Sequence, residues 1–440
     1  MSSYNRSKSL NRSSSFKKST FNRSTSFNQR ALSSFSLGSP IASSLGGPKA
    51  TRWNCVTQWY HLFIVIGFFV SSLIVIGGSY VYVIPSLSPE FLGYSLSNVN
   101  KSMVSCDKFD GSWILDDAYP LYNASECPFA ERGFNCLGNG RSDNDYLKWR
   151  WKPKDCDIPR FDVHSILERF RNKRIVFVGD SMSRTQWESL ICFLMTGVDD
   201  KKSVYEVKGN KITKRIRFLG VRFSSFNFTV EFFRSVFLVQ DGLIPRHAPK
   251  RVTSTLKLDK LDSISNEWIN ADILIFNSGQ WWVPGKLFQM GCYFQVGNSL
   301  KLGMSIPTAF RLALGTWASW VEKTIDTNRT RVFFRTFEPS HWSDQSHKLC
   351  NVTRHPVREP KGRERSIFSD TVFEVIKNVT IPITVLHITS MSAFRSDAHV
   401  GMWSDNPSVP DCSHWCLPGV PDVWNEILFS YLFTNHELPL

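Results

Sequence analysis

Three residue types that together can move an acyl group occur in this 440-residue chain in two short blocks. Ser181 follows a β-branched and aromatic run, Arg174-Ile175-Val176-Phe177-Val178, that stops at Gly179-Asp180. Asp411 and His414 lie far downstream in Asp411-Cys412-Ser413-His414. A hydroxyl beside an imidazole that a carboxylate orients is a nucleophile with its base. The run before Ser181 reads as a buried strand, and Trp187, Leu190, Ile191 and Leu194 after it fall at helical spacing. A serine in such a turn stands at the carboxyl edge of an α/β sheet, where sites form. The free N–H groups of the helix start can stabilise an oxyanion there.

Each of these residues also has a plainer role open to it. Serine and aspartate cap helices routinely, so Ser181 could serve as a cap, and Asp180 reads as a cap or turn former. His399 competes with His414, because Asp397 supplies it with a nearby carboxylate. Asn277 and Gly279 follow a second strand and offer either oxyanion donors or an ordinary turn. Trp281 and Trp282 offer aromatic faces for sugar rings, or core packing. Arg184 is placed to meet an anionic substrate or to make an ion pair. No His/Cys/Asp/Glu grouping has metal spacing, so no metal is expected.

Strands and helices alternate around these blocks. Ile273-Leu274-Ile275-Phe276, Val332-Phe333-Phe334 and Ile383 to Ile388 read as strands. A helix is predicted after Ser305, with Pro307 in its first turn and Phe310, Leu314, Trp317 and Val321 on one face. Val423 to Leu432 reads as a closing helix, and Lys208 to Val239 as β-hairpins. The pattern predicts an α/β fold with a largely parallel sheet covered on both faces.

The first hundred residues differ. Residues 1–61 carry nine Lys/Arg and no Asp/Glu, leaving 43 basic against 38 acidic residues in the remainder. The net charge of +14 therefore resides mainly in this tail, which argues against nucleic acid as a partner of the main body. The tail has sixteen serines in its first fifty residues and repeats Asn-Arg-Ser-x-Ser-Phe at Asn11 and Asn22, so it reads as disordered. Leu62 to Ile84 has no charge, and its 23 residues suit a span of about 30 Å. The basic flank predicts a cytoplasmic N-terminus and a single-pass type II membrane protein. Residues 85–100 read as a stem, 101–160 as a Cys-rich luminal segment and 161–440 as the catalytic domain. Nine of the ten cysteines follow the span, with six Asn-x-Ser/Thr sites, as a luminal compartment would permit.

Longer motifs add a resemblance. Cys106-Asp107-Lys108-Phe109-Asp110-Gly111-Ser112-Trp113, Tyr119-Pro120-Leu121-Tyr122 and Trp149-Arg150-Trp151 precede the Gly179-Asp180-Ser181 turn. Gln186-Trp187-Glu188-Ser189-Leu190 follows it, and Asp411-Cys412-Ser413-His414-Trp415-Cys416-Leu417-Pro418-Gly419 comes late. From about Cys106 to its C-terminus the chain resembles the plant trichome birefringence-like proteins, a PC-esterase branch of the GDSL/SGNH superfamily. The resemblance implies an SGNH-hydrolase-like sheet in a Golgi enzyme that O-acetylates a cell-wall polysaccharide. It implies no bound cofactor, only an acetyl donor such as acetyl-CoA or an acetylated intermediate. It gives Ser181 the role of nucleophile, with Asp411 and His414 as partners, and favours His414 over His399 because the superfamily places its Asp and His three apart. It also implies the disulfides Cys106–Cys156, Cys127–Cys192, Cys136–Cys416 and Cys350–Cys412, with Cys292 left over. The chain departs from the family at Gln280, where the family usually has His. An acetyl-esterase and a non-catalytic wall-polysaccharide (pectin) binding protein stand as alternatives to the transferase.

Overall fold

The computed structural model describes residues 67, 70–73, 106–343, 349–350 and 352–433. The chain divides into two units, 1–100 and 101–440. In the first, only a helical turn at 70–73 and residue 67 are described. The expected tail and stem, and most of the expected span Leu62–Ile84, lie outside the described residues. Among the described residues no helix is long and apolar enough to cross a membrane.

The second unit opens with an antiparallel hairpin of β1 (Gly111–Leu115) and β2 (Trp149–Pro153), with Trp113 opposite Trp151. Helix α1 (Val163–Arg169) leads into β3 (Arg174–Gly179) and then α2 (Ser181–Met195). Next come β4 (Val204–Glu206), β5 (Phe218–Phe223), β6 (Phe228–Arg234), β7 (Val239–Gly242), β8 (Ser254–Leu261) and β9 (Ile273–Asn277). Strands β10 (Cys292–Val296) and β11 (Ser299–Lys301), helix α3 (Ile306–Thr324) and β12 (Arg331–Arg335) follow. The remainder is α4 (Ile367–Ile376), β13 (Ile383–Leu386), α5 (Thr389–Ser392), β14 (His399–Gly401), β15 (Asp411–Trp415) and α6 (Val420–Phe433).

The main sheet has seven strands in the order β13-β12-β9-β3-β6-β5-β4. The first five run parallel, and the β5–β6 hairpin and β4 add an antiparallel edge. Strand β3 sits at the centre with helices on both faces, so its side chains are buried on both. Ile175 and Phe177 enter the core shared with α2 and α6, whereas Val176 and Val178 enter the core shared with α3. Full burial of each such aliphatic or aromatic side chain contributes about 1.5–3 kcal/mol. The region after β6 also forms a separate four-stranded sheet, β11-β10-β8-β7, which lies almost wholly beyond the predicted hairpins.

The predicted helix after Ser305 is α3. Ser305 Oγ accepts the Thr308 N–H and Pro307 lies in the first turn. Its face of Phe310, Leu314, Trp317 and Val321 is buried, with Trp317 edge-on to Phe276 and Phe334.

The Cys-rich segment packs on the helix layer, joined to α2 through Cys127–Cys192 and in contact with the closing helix. The Tyr122 hydroxyl donates to Asp422 Oδ1 at 3.0 Å, and Phe109 stacks on Tyr431. That face of the sheet is already covered by α2 and α6, so an added segment finds its apolar partners on the helix layer. The four disulfides are those the resemblance implied, and Cys292 is a buried free thiol.

Candidate active site

The turn that carries Ser181 is built by its neighbours. Asp180 has extended backbone and caps α2, its Oδ1 accepting the Met182 N–H at 2.9 Å. Asn277, at the end of β9, reaches across to β3. Its Oδ1 accepts the Asp180 N–H at 3.2 Å and the Ser183 hydroxyl at 2.6 Å, and its Nδ2 donates to Asp180 Oδ1 at 3.1 Å. A Cβ at Gly179 would come within 1.9 Å of Asn277 Oδ1, so only glycine leaves room for this brace. Ser181 itself stays partly exposed above a buried platform.

Asp411 and His414 arrive on the ribbon β14–β15. His414 Nδ1 bonds Asp411 Oδ2 at 2.6 Å, and His414 Nε2 lies 2.7 Å from Ser181 Oγ. Asp411 Oδ1 also accepts the backbone N–H groups of Ser413 and His414, at 3.0 and 2.9 Å. The carboxylate thereby fixes the backbone that bears its imidazole. The contacts define one tautomer: Nδ1–H donates to Asp411, and Nε2 is free to accept the serine proton.

Charge follows the geometry. Burial is the largest influence on the Asp411 carboxyl and raises its pKa, but the His414 charge and the three hydrogen bonds reverse this and hold it well below the carboxylate range. Burial lowers the His414 imidazole, and Asp411 outweighs it, so its pKa ends above the ordinary value. Phe134, from the Cys-rich segment, stacks on His414 with ring centroids 5.4 Å apart.

His399 lies behind this base, fully buried. Its Nδ1 donates to the His414 carbonyl at 3.0 Å, and its ring stacks on Trp415 at 4.0 Å. Its Nε2 lies 2.7 Å from His341 Nδ1, and His341 Nε2 donates to the Ala393 carbonyl at 2.8 Å. The His341 backbone N–H donates to the Cys412 carbonyl at 3.0 Å. Burial pushes the His399 imidazole far down and the His341 imidazole to about 4. Two carbonyls terminate this chain of contacts, so each outer nitrogen carries the hydrogen of a neutral ring. His399 is thus a structural histidine that ties the ribbon to the segment around Ala393.

Other sequence candidates divide. Gly279 sits at φ +151, where a Cβ would meet Phe337 at 2.8 Å, and its N–H makes no backbone hydrogen bond among the described residues. The Asn277 donor, by contrast, is committed to Asp180. Arg184 is buried: it pairs with Glu188 at 2.5 Å and with Glu131, and lies over the Phe134 ring. A buried arginine on a fully covered helix needs internal carboxylates, and these two supply them. Trp282 is also internal, 1% exposed among Phe237, Phe294 and Phe310. Only Trp281 of that pair stays partly open. Gln280 donates Nε2 to the Glu338 carbonyl at 2.7 Å. Phe134 and His341 went unnoticed in the sequence, since both sit in aperiodic segments without a local chemical signal.

Comparisons with known proteins give the chain's relatives. Residues 158–431 match the PC-esterase family, described as a GDSL/SGNH-like acyl-esterase family found in Pmr5 and Cas1p. Residues 104–157 match the PMR5 N-terminal domain. The chain is 66% identical over 405 residues to trichome birefringence-like 7 of Arabidopsis thaliana, covering 90% of this chain and 91% of that protein. It is 41% identical to trichome birefringence-like 6 of the same plant, covering 76% and 71%. It is 38% identical to the trichome birefringence protein itself, covering 76% of this chain and 57% of that one.

Proposed function

Since this chain belongs to the trichome birefringence-like proteins of the PC-esterase family, we propose that it is an O-acetyltransferase acting on a plant cell-wall polysaccharide in the Golgi lumen. The observation that carries the chemistry is the unbroken line Asp411–His414–Ser181, with contacts of 2.6 and 2.7 Å. His414 Nε2 takes the Ser181 proton as Oγ attacks the acetyl carbonyl of the donor. The tetrahedral oxyanion meets the N–H of Ser181, at the start of α2 where no intrahelical acceptor exists, and the N–H of Gly279, which has no backbone acceptor among the described residues. Collapse forms acetyl-Ser181, and His414 returns the proton to the departing donor. A polysaccharide hydroxyl then gives its proton to His414 and attacks the acyl carbon, which regenerates Ser181. Water in place of the sugar hydroxyl would give the esterase, so exclusion of water decides between the two. The uncharged run Leu62–Ile84 and its basic flank support a type II anchor with this domain in the lumen.

The full-length protein, incubated with an acetyl donor and a panel of wall oligosaccharides, should add acetyl mass to an acceptor. It should also show an acetylated Ser181 peptide under acceptor-free quench. Acetyl release with no acceptor product would favour the esterase. Protease applied to sealed microsomes should spare the large domain; its digestion would reverse the topology.

A further inference from the structure

The carboxyl edge of the sheet carries charges that the triad does not use. Arg234 ends β6 in register with Gly179 of β3, and the Ser235 N–H donates to the Gly179 carbonyl at 2.8 Å. Trp281 follows β9, on the opposite flank of β3. These two residues meet beside the strand that delivers Ser181: the Arg234 guanidinium lies 5.2 Å from the Trp281 ring centroid. Lys286 Nζ lies 5.0 Å from the same ring. Two cations therefore share one indole, and among the described residues neither makes an ion pair or a side-chain hydrogen bond.

Neighbouring arginines are different. Arg184 has Glu131 and Glu188, Arg174 has Glu231, and Arg217 has Asp262. Asp180 and Asp241 act on Arg234 only at longer range, and Arg184 and Arg217 oppose them. Arg234 is also half-buried, which makes its missing counter-ion costly. Two like charges on one ring, one of them half-buried beside the strand that carries the nucleophile, offer a place for an anion.

We infer that Arg234, Trp281 and Lys286 form a subsite for a carboxylate-bearing sugar ring, so that the acceptor is a polysaccharide containing uronic acid. This inference rests on the transfer reading above. A uronate satisfies all three groups with one residue: its carboxylate meets the cations, and its pyranose face packs on the exposed part of the indole. A neutral hexose would leave both cations unpaired. A phosphate on the donor shares the anionic chemistry, and the test separates it from the carboxylate.

Binding of an oligogalacturonide to the full-length protein in detergent is compared with binding of the same oligosaccharide after carboxyl reduction. The acid form should bind about ten-fold tighter or more, with a preference that fades as salt rises. Arg234→Gln and Lys286→Gln should each erase most of that preference and cost the neutral ligand far less, and Arg234→Lys should restore part of it. Lys286 is exposed, so its variant reports on the subsite even where an Arg234 variant folds poorly. Equal binding of the two oligosaccharides by the wild type overturns the inference. A loss confined to acetyl-CoA, measured against a phosphate-free acetyl-pantetheine, assigns the cations to the donor and overturns it too. Acylation of Ser181 by p-nitrophenyl acetate is followed alongside. Its absence in the wild type sinks the transfer reading, while the binding arms still report on the subsite.

Discussion

The nucleophile and its base are held in place by two different kinds of structure. Ser181 sits where a central strand runs into a helix buried from Met182 to Met195. Its position follows from the sheet, with Asn277 and Asp180 as the final brace. His414 sits on a two-stranded ribbon whose register shifts between His399 and Gly401. So short a ribbon has no core of its own. It is fastened by Cys350–Cys412, by Cys136–Cys416, and by the His399 and His341 contacts. Where regular structure ends, covalent and polar ties fix a catalytic geometry that tolerates only sub-ångström error.

Removing a reacting group should erase the difference between the regions. Ser181→Ala, Asp411→Asn and His414→Ala are each expected to lower acetyl transfer by about 10⁴-fold or more, with double variants little worse than single ones. Near wild-type transfer by a folded Ser181→Ala protein would falsify the acyl-enzyme mechanism.

Cutting the ribbon's ties should bring the contrast out. The pair Cys350→Ser with Cys412→Ser, like other lost disulfides, should cost about 2–5 kcal/mol in thermal unfolding. It should also depress kcat at temperatures where the domain stays folded. The pair Cys106→Ser with Cys156→Ser, which closes the hairpin segment, should lower stability without a matching loss of kcat. Similar kcat losses in both pairs would remove the distinction.

On the sheet side, Asn277→Ala strips three buried hydrogen bonds from the nucleophile turn. It should cost about 1–3 kcal/mol of stability for the groups left unpaired, and slow Ser181 acylation. Acylation at the wild-type rate would mean that the sheet alone positions the serine.

The smallest expected effect is a shift along the pH axis. His414 must be neutral to accept the serine proton, and its raised pKa moves that condition upward. Acylation should therefore rise with pH and inflect above the ordinary imidazole value of about 6.5. Asp411→Asn should move the inflection of its residual activity down. The linked stability has the opposite sense: the His414–Asp411 attraction is fully present below the unfolded imidazole pKa and fades as pH rises through the folded one. An inflection unchanged by Asp411→Asn would show that the carboxylate does not set the base.

Patterns along the chain were enough for the strand–turn–helix at Ser181, the helix after Ser305 and the alternation that makes an α/β sheet. These are read from neighbours a few residues apart, where side-chain periodicity and capping act. The Asp-x-x-His block and the cysteine pairs were legible through family resemblance, because their motifs are contiguous. Which face each residue met was not. Arg184 and Trp281-Trp282 looked equally available to substrate, but burial among Glu131, Glu188 and Phe134 turned the arginine inward, and one tryptophan of the pair went into the core while the other stayed partly open. Arg234 carried no signal, since the ring it shares with Lys286 is supplied from the far flank of β3. Local sequence determined which groups capable of chemistry the chain carries and which elements bear them. Only the tertiary structure decided which of those groups keep a free valence, because charge pairing and desolvation are settled by partners brought together from distant parts of the chain.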